Sequence, residues 1–327
     1  MVDRMAKKKY LLVKCGQTLF TIFIVLTLNF FLFRVMPGDP ARTLIHNPRI
    51  SPEIIANLEK VFGLDKPLYM QYLYYLKNMI TGNMGMSFAF RRPVADIIAD
   101  KMGNTILLVG VATVLSIVIG IIIGVIAAYK RGSRIDIGAL AFSLFMWAMP
   151  AFWLGIIMVI VFSIYFRAFP TSGITIPGYN HDSFFDLAKD VAHHMFLPTI
   201  TLALVLLGEY FLIMRNTLID VLTEDFIMTA RAKGLSDARI LQKHALKNAL
   251  LPMVTIIAIS LGFIVAGAIE VETVFSWPGL GRLIYESLRN RDYPILEGVF
   301  AIVSICVIIA NFASDLLYAY IDPRVKT

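Results

Sequence analysis

Apolar residues occur along this chain in six long runs that are almost free of charge, separated by more polar segments. About 20 consecutive apolar residues in a helix cross the hydrocarbon core of a bilayer. The runs therefore predict an all-α polytopic membrane protein with six transmembrane helices. These helices are expected at residues 15–35, 104–129, 137–166, 195–214, 251–272 and 295–319.

Composition supports this pattern and excludes several classes of protein. Hydrophobic residues make up 58% of the 327 positions and charged residues only 16%, whereas soluble domains carry about 25% charge. A secreted disulfide scaffold, a disordered chain and an ordinary cytosolic enzyme are excluded. The net charge of +7 is explained by basic residues on cytoplasmic loops, so we expect no nucleic-acid partner.

The distribution of Lys and Arg predicts which side each loop occupies. Residues 1–14 hold five basic residues, and the segment 215–250 holds six. The short external loops after the third and fifth spans hold two and three, and long loops such as 36–103 are translocated regardless of charge. Both termini (1–14 and 320–327) and the 215–250 loop are therefore expected in the cytoplasm, and the loops 36–103 and 273–294 outside.

The external loop 36–103 contains two predicted helices. Ser51 followed by Pro52 is typical of a helix start. The segment Leu68–Ile80 carries four tyrosines beside Leu and Met. Because aromatic residues favour the membrane–water interface, we expect both helices to lie against lipid at the outer leaflet.

The cytoplasmic loop 215–250 is much longer than an ordinary connection between helices. Thr223 is predicted to cap a short helix that has Glu224 and Asp225 in its first turn, and Gly234 is predicted to end it in the left-handed conformation. Ser236 is predicted to cap a second helix over residues 237–250. From its amphipathic pattern, the short helix either docks on a partner or lies on the lipid surface.

Motifs in this loop resemble those of a known family. The strings TARAKGL (Thr229–Leu235) and HALKNALLP (His244–Pro252) resemble the cytoplasmic loop of binding-protein-dependent ABC importer permeases, in which a Glu-Ala-Ala-x-x-x-Gly signature marks the coupling helix. Aligned on Gly234, the residues Met228, Thr229 and Ala230 occupy the Glu-Ala-Ala positions. These departures fit the dipeptide, oligopeptide and nickel branch of the family.

The resemblance to this branch extends over nearly the whole chain. It includes the strings RVMPGDPA (Arg34–Ala41), FGLDKPLYMQYLYYLKNMITGNMGMSF (Phe62–Phe88), VETVFSWPGLGRL (Val271–Leu283), RDYP (Arg291–Pro294) and DPR (Asp322–Arg324).

This resemblance implies a type I ABC importer permease fold in the inner membrane of a prokaryote. It also implies four kinds of partner: a second homologous permease chain, two ABC ATPase subunits, an extracytoplasmic solute-binding protein and membrane lipid. The chain has no phosphate-binding loop of the form G-x-x-x-x-G-K-[ST]. We therefore expect it to be a transport subunit rather than an enzyme, with ATP and Mg on the partner subunits and no cofactor or metal of its own.

The expected ATPase-coupling residues follow from the resemblance and from the amphipathic pattern of the short helix. In this interpretation Phe226 is an anchor, the small residues provide a close fit, and the basic residues provide polar contacts or cap the helix end. The set consists of Asp225, Phe226, Thr229, Ala230, Arg231, Ala232, Lys233 and Gly234.

Other candidate site residues lie in or beside the spans. Glu209 is an acid inside the fourth span, where it makes a local hydrogen bond or belongs to a gate or pathway. Pro150 and Pro198 can kink helices that line a cavity. By resemblance, Trp277, Pro278 and Gly279 form an outer surface that touches the binding protein or the outer gate.

The substrate is the least determined part of the prediction. Short peptides lead, with nickel chelates, glutathione and oligosaccharides as alternatives within the same importer class. A secondary transporter or channel is the alternative class, and it would need charged or polar groups near the middle of the membrane. Glu209 is the only such group that the apolar runs indicate, and its predicted position is shallow.

Overall fold

The computed structural model describes residues 2–35 and 66–321, which form two compact units. One unit contains residues up to Asn104 together with those from Gly279 onward, and the other contains Thr105–Pro278. Within the described residues the chain is helical and has no strand, only an isolated bridge between Met86 and Pro93. The predicted helix at Ser51 and the strings RVMPGDPA and DPR lie mostly or wholly outside the described residues.

The helices are numbered here in chain order. They are α1 (Val2–Val35), α2 (Leu68–Ile80), α3 (Val94–Tyr129), α4 (Arg134–Ala148), α5 (Ala151–Met158), α6 (Phe184–Leu222), α7 (Asp225–Ala232), α8 (Asp237–Ile240), α9 (Leu246–Phe263), α10 (Ile269–Val274), α11 (Leu280–Asn290) and α12 (Tyr293–Ile321). In the described part of the chain, five helical segments are long and apolar enough to cross a membrane, and a bent pair of helices brings the number to six.

In the first unit, α1 and α12 pack side by side in opposite directions. Lys14 Nζ donates to Asp315 Oδ2 at 2.8 Å, which joins the first half of α1 to the last turns of α12. Asn29 Nδ2 donates to the Glu297 carbonyl at 3.0 Å, which joins the end of α1 to the start of α12. The start of α1 and the end of α12 therefore lie at the same end of the unit.

The predicted helix at Leu68–Ile80 is confirmed as α2, with the same bounds. It packs on α1 through Tyr75, which lies in one cluster with Leu26 and the fully buried Phe30. Asn29 Nδ2 donates to the Tyr75 hydroxyl at 3.0 Å. Tyrosines of α2 therefore hold this helix on α1, while Tyr69 and Tyr74 remain exposed.

Two of the strings that resemble the family meet in the first unit. The buried carboxylate of Asp292, in RDYP, accepts hydrogen bonds from Ser87 Oγ at 2.5 Å and from the Phe88 and Ala89 amides at 3.3 and 3.0 Å. These three donors belong to or follow the string that ends at Phe88. Hydrogen bonds between the two strings therefore fasten the loop before α3 to the start of α12.

The second unit is built around α6, a 39-residue helix that packs against α3, α4, α5 and α9. Glycines allow close approach at two crossings. A Cβ added at Gly208 would lie 2.6 Å from the Trp147 Cβ of α4, and one added at Gly120 of α3 would lie 2.8 Å from the Tyr210 Cβ. Small residues commonly bring helices together in this way in membranes.

The third predicted span, 137–166, is not one continuous helix. It is split into α4 and α5, which are bent by 101° at the break, and α5 continues into a π-helical turn over Val159–Tyr165. Pro150 lies at the break and precedes α5, where its missing amide hydrogen cannot continue the α4 hydrogen-bond ladder. The chain therefore bends at Pro150, as predicted, whereas Pro198 lies inside α6 without ending it. A role of either proline in lining a cavity stays a prediction.

Candidate functional site

The short helix α7 ends at a glycine, as predicted. Gly234 has φ of +76°, which is the left-handed conformation. Its amide donates to the Arg231 carbonyl at 2.9 Å, and the Leu235 amide donates to the Ala230 carbonyl at 3.3 Å. This pair of hydrogen bonds is a Schellman motif, and it turns the chain sharply from α7 towards α8.

The beginning of α7 differs from the prediction. Thr223 does not cap it, because Thr223 ends α6 in helical conformation and its hydroxyl donates to the Asp220 carbonyl at 2.7 Å. Glu224 occupies the N-cap position without a side-chain cap. Asp225 lies in the first turn of α7, as predicted, and complements the helix dipole, whereas Glu224 was also predicted in the first turn and instead precedes the helix.

One face of α7 packs into the core of its own unit. Ile227 is fully buried and Ala230 is 5% exposed, in a cluster with Met214 and Leu218 of α6 and with Ala249 of α9. Ala230 was predicted on the face offered to a partner, and that placement is wrong because its side chain is covered by this cluster. The buried face fixes α7 to the two long helices on either side of it.

The rest of the α7 surface is open. Phe226 is 41% exposed and Met228 is 63% exposed, although both are large and apolar. Arg231 Nε lies 3.8 Å from Asp237 Oδ1 in a loose, exposed ion pair. The remaining predicted coupling residues that are exposed are Asp225, Thr229, Ala232, Lys233 and Gly234.

The chain after α7 forms a more continuous helix than predicted. Ser236 precedes α8, but its side chain makes no cap hydrogen bond. A π-helical turn over Leu241–Ala245 joins α8 to α9, which runs through Pro252 to Phe263 instead of ending near residue 250. A partly buried ion pair joins the last third of α6 to α4, since Arg215 Nε and Nη2 donate to the Asp136 carboxylate at 2.6 and 2.8 Å.

Three glutamates lie within the described helical segments of the second unit that could span a membrane, and their environments differ. Glu209, the predicted gate residue, is exposed on α6 between the buried Gly208 and Tyr210. Glu272 of α10 is fully buried, and its Oε1 accepts from Thr105 Oγ1 at 3.0 Å and from the Ala268 amide at 3.3 Å. Glu270, two residues earlier, is exposed, and its Oε2 accepts from the Phe152 amide at 3.2 Å.

The sequence reasoning missed Glu270 and Glu272 because they lie at the edge of an apolar run. The available signal was a pair of acids within the 251–272 span itself. The helix is interrupted at Gly267, which has φ of +78°, and α10 begins two residues later.

The predicted outer contact surface includes Trp277, but the structure buries this residue. Its side chain is fully buried, and Gly279 is buried as well, while Pro278 is partly exposed. The Trp277 amide donates to the Glu272 carbonyl at 2.8 Å. The assignment of Trp277 and Gly279 to a binding-protein contact is therefore wrong, because a side chain without exposed area cannot touch a partner.

Histidines hold the segment between α5 and α6. The Asp190 carboxylate lies 2.9 Å from His181 Nε2 and 3.0 Å from His194 Nδ1, and it accepts from the Ile176 amide at 2.9 Å. In the described residues, no group of three or more His, Cys, Asp and Glu is placed to hold a metal ion. The contacts of His181 and Ile176 with Asp190 attach the segment to α6, and the His194 contact lies within α6.

Comparison with protein families identifies the class. Residues 120–327 match the model of the binding-protein-dependent transport system inner membrane component, and residues 7–109 match the N-terminal model of such membrane components. The chain belongs to this family, so it is an inner-membrane transport component. The predicted family is confirmed.

Similar proteins cover almost the whole chain. The oligopeptide transport system permease AppB of Bacillus subtilis is 38% identical over 95% of this chain and 98% of its own. The dipeptide transport system permease DppB of Escherichia coli K12 is 36% identical over 97% and 98%, and the glutathione transport system permease GsiC of the same strain is 37% identical over 94% and 95%.

A solved structure agrees with the fold. A chain of the MetNI methionine ABC transporter in an inward-facing conformation matches with a TM-score of 0.54 and 18% identity, over 69% of this chain and 96% of that chain. The predicted all-α importer-permease fold is confirmed by this match.

Proposed function

We propose that this chain is the permease subunit of an ATP-driven importer of short peptides. The observation that carries the transport mechanism is α7, which exposes Phe226 and Met228 while Ile227 and Ala230 fix it to the core. The peptide substrate is supported by the relatives, which are named as oligopeptide, dipeptide and glutathione permeases.

In this proposal α7 is the coupling helix on which an ABC ATPase subunit docks. An exposed aromatic side chain is a typical anchor for a partner's pocket, and the exposed Met228 adds apolar surface to the same short helix. The two ATPase subunits hold ATP and Mg and supply the energy that this chain cannot generate. This assignment places α7 and both termini in the cytoplasm.

Movement of α7 reaches the membrane through its buried face. Ile227 and Ala230 contact side chains of α6 and α9, so a displaced α7 carries both helices with it. With a second, homologous permease chain, these helices enclose a cavity that opens alternately to the two sides. An extracytoplasmic binding protein delivers the substrate, and Glu209, Pro150 and Pro198 remain the predicted gate or pathway residues.

Docking can be tested with the double variant Phe226→Ala, Met228→Asp. We expect its affinity for the ATPase subunits to fall at least about tenfold, because an anchor residue contributes roughly 2 kcal/mol or more. The measurement is retention of the ATPase on the tagged permease in mild detergent. Phe184→Ala, at an 85% exposed position outside the predicted docking surface, is the matched control.

Two results would contradict the proposal at different levels. Full ATPase retention by the double variant would remove α7 as the docking site. Uptake that survives ATP depletion but collapses with the proton gradient would favour the secondary transporter instead. Competition of labelled peptide uptake by nickel chelates, glutathione and oligosaccharides distinguishes the substrate alternatives.

A further inference from the structure

Glu270 is an exposed carboxylate on a helical segment of the second unit that is apolar enough to span a membrane. Its Oε2 accepts from the Phe152 amide, in the first turn of α5 beside the 101° break between α4 and α5. Glu270 also follows closely on the break at Gly267. Two interrupted helices therefore meet at this carboxylate.

The packing partners of α6 give the depth of Glu270. Trp147 lies beside Gly208, and Gly155 lies beside Thr201, so Phe152 lies at a level between residues 208 and 201 of α6. Each of those two residues is six positions from an end of the predicted span 195–214, or about 9 Å at 1.5 Å per residue. Glu270 therefore lies in the middle third of the thickness predicted from α6. Its place two residues from the end of the predicted span 251–272 does not measure its depth, because α9 ends at Phe263 and the chain turns at Gly267 before α10 begins.

Glu272 shows what a structural acid looks like in the same helix. Its side chain is fully buried and its Oε1 receives a hydroxyl and an amide hydrogen bond within the unit. Glu270 is exposed, and the hydrogen bond from Phe152 leaves its carboxylate accessible at the surface of the unit. The charge of Glu270 is therefore available to something outside this chain.

A carboxylate at this depth cannot face hydrocarbon without a large penalty, and such groups face water-filled cavities or partners. Broken helices in transporters also occur where the backbone lines a cavity. We propose that Glu270 lines the translocation pathway and binds the protonated α-amino group of the peptide. This inference rests on the proposed function and adds a specificity residue to it.

The test uses Glu270→Gln in the complete importer, reconstituted in proteoliposomes with its binding protein. The amide oxygen of Gln can still accept from the Phe152 amide, so the variant removes the charge and keeps the acceptor. Maximal uptake rates are measured for trialanine and N-acetyl-trialanine at concentrations that saturate the binding protein. Asp182→Asn, which removes an exposed carboxylate outside the predicted spans, is the control.

We expect Glu270→Gln to lower the ratio of trialanine to N-acetyl-trialanine uptake about tenfold, the usual effect of one charged hydrogen bond. Asp182→Asn should leave the ratio unchanged. Glu270→Asp keeps the charge and should keep the wild-type ratio, and it provides a second test if the Gln variant assembles poorly.

Three results would overturn the inference. An unchanged ratio of the two uptake rates in Glu270→Gln, even if both rates fall by the same factor, would show that the charge does not select the amino group. A ratio that falls in Glu270→Asp would do the same. A wild-type complex that imports neither peptide would instead overturn the peptide function on which the inference rests.

Discussion

The helix α7 and the turn at Trp277 carry motifs of one family, and the sequence predicted a partner surface at both. In α7 the aromatic residue, Phe226, is 41% exposed. In the turn the aromatic residue, Trp277, has no exposed area. One motif therefore presents a side chain outward, and the other fills the protein interior.

This difference shows that a motif alone does not distinguish a binding surface from a packing arrangement. The amphipathic pattern of α7 contained part of the answer, since it requires one buried and one open face. The turn has no such period, because its backbone follows an irregular path with Ser276 at φ of +51°. Only the surrounding helices decide where the Trp277 side chain goes.

The largest expected effect that tests this comparison is on stability. Trp277→Ala should destabilise the protein by about 3–5 kcal/mol, because it leaves a large cavity in a packed region. Phe226→Ala should change stability by about 1 kcal/mol or less, since much of that side chain is already exposed. Thermal unfolding in mild detergent measures both, and equal losses would remove the distinction between the two regions.

The hydrogen bonds to Asp292 extend the comparison to RDYP, another string that resembles the family. Asp292→Ala should cost about 3 kcal/mol, because it leaves the buried Ser87 hydroxyl and two loop amides without their acceptor. Ser87→Ala removes only one of the three donors, so it should cost less. Thermal unfolding again gives the result, and an Asp292→Ala variant as stable as the wild type would show that RDYP does not fasten the unit.

A smaller effect is expected at the end of α7. A Cβ at Gly234 would meet nothing within 4 Å, so only the left-handed backbone opposes a side chain there. Gly234→Ala should cost about 1–2 kcal/mol, and Gly234→Asn should cost less because Asn tolerates this conformation better. Equal melting temperatures for wild type and Gly234→Ala would mean that the Schellman turn is not needed to hold α7.

Much of the fold follows from local features of the sequence. Long apolar runs give membrane-spanning helices wherever they occur, because the bilayer leaves the backbone no other way to satisfy its hydrogen bonds. The end of α7 at Gly234 and the bounds of α2 are also local, set by turn chemistry and helical periodicity. The break at Pro150 was predicted for the same reason, although its 101° angle was not.

The distribution of buried and exposed side chains within the site was decided by tertiary structure. Ala230 and Thr223 lie in the short helix region that the sequence located, yet one packs in the core and the other ends α6. Glu270 and Glu272 are two positions apart with the same chemistry, and only their neighbours make one structural and the other open. A sequence determines where helices form because that depends on nearby residues, whereas the environment of a side chain depends on helices that are distant along the chain.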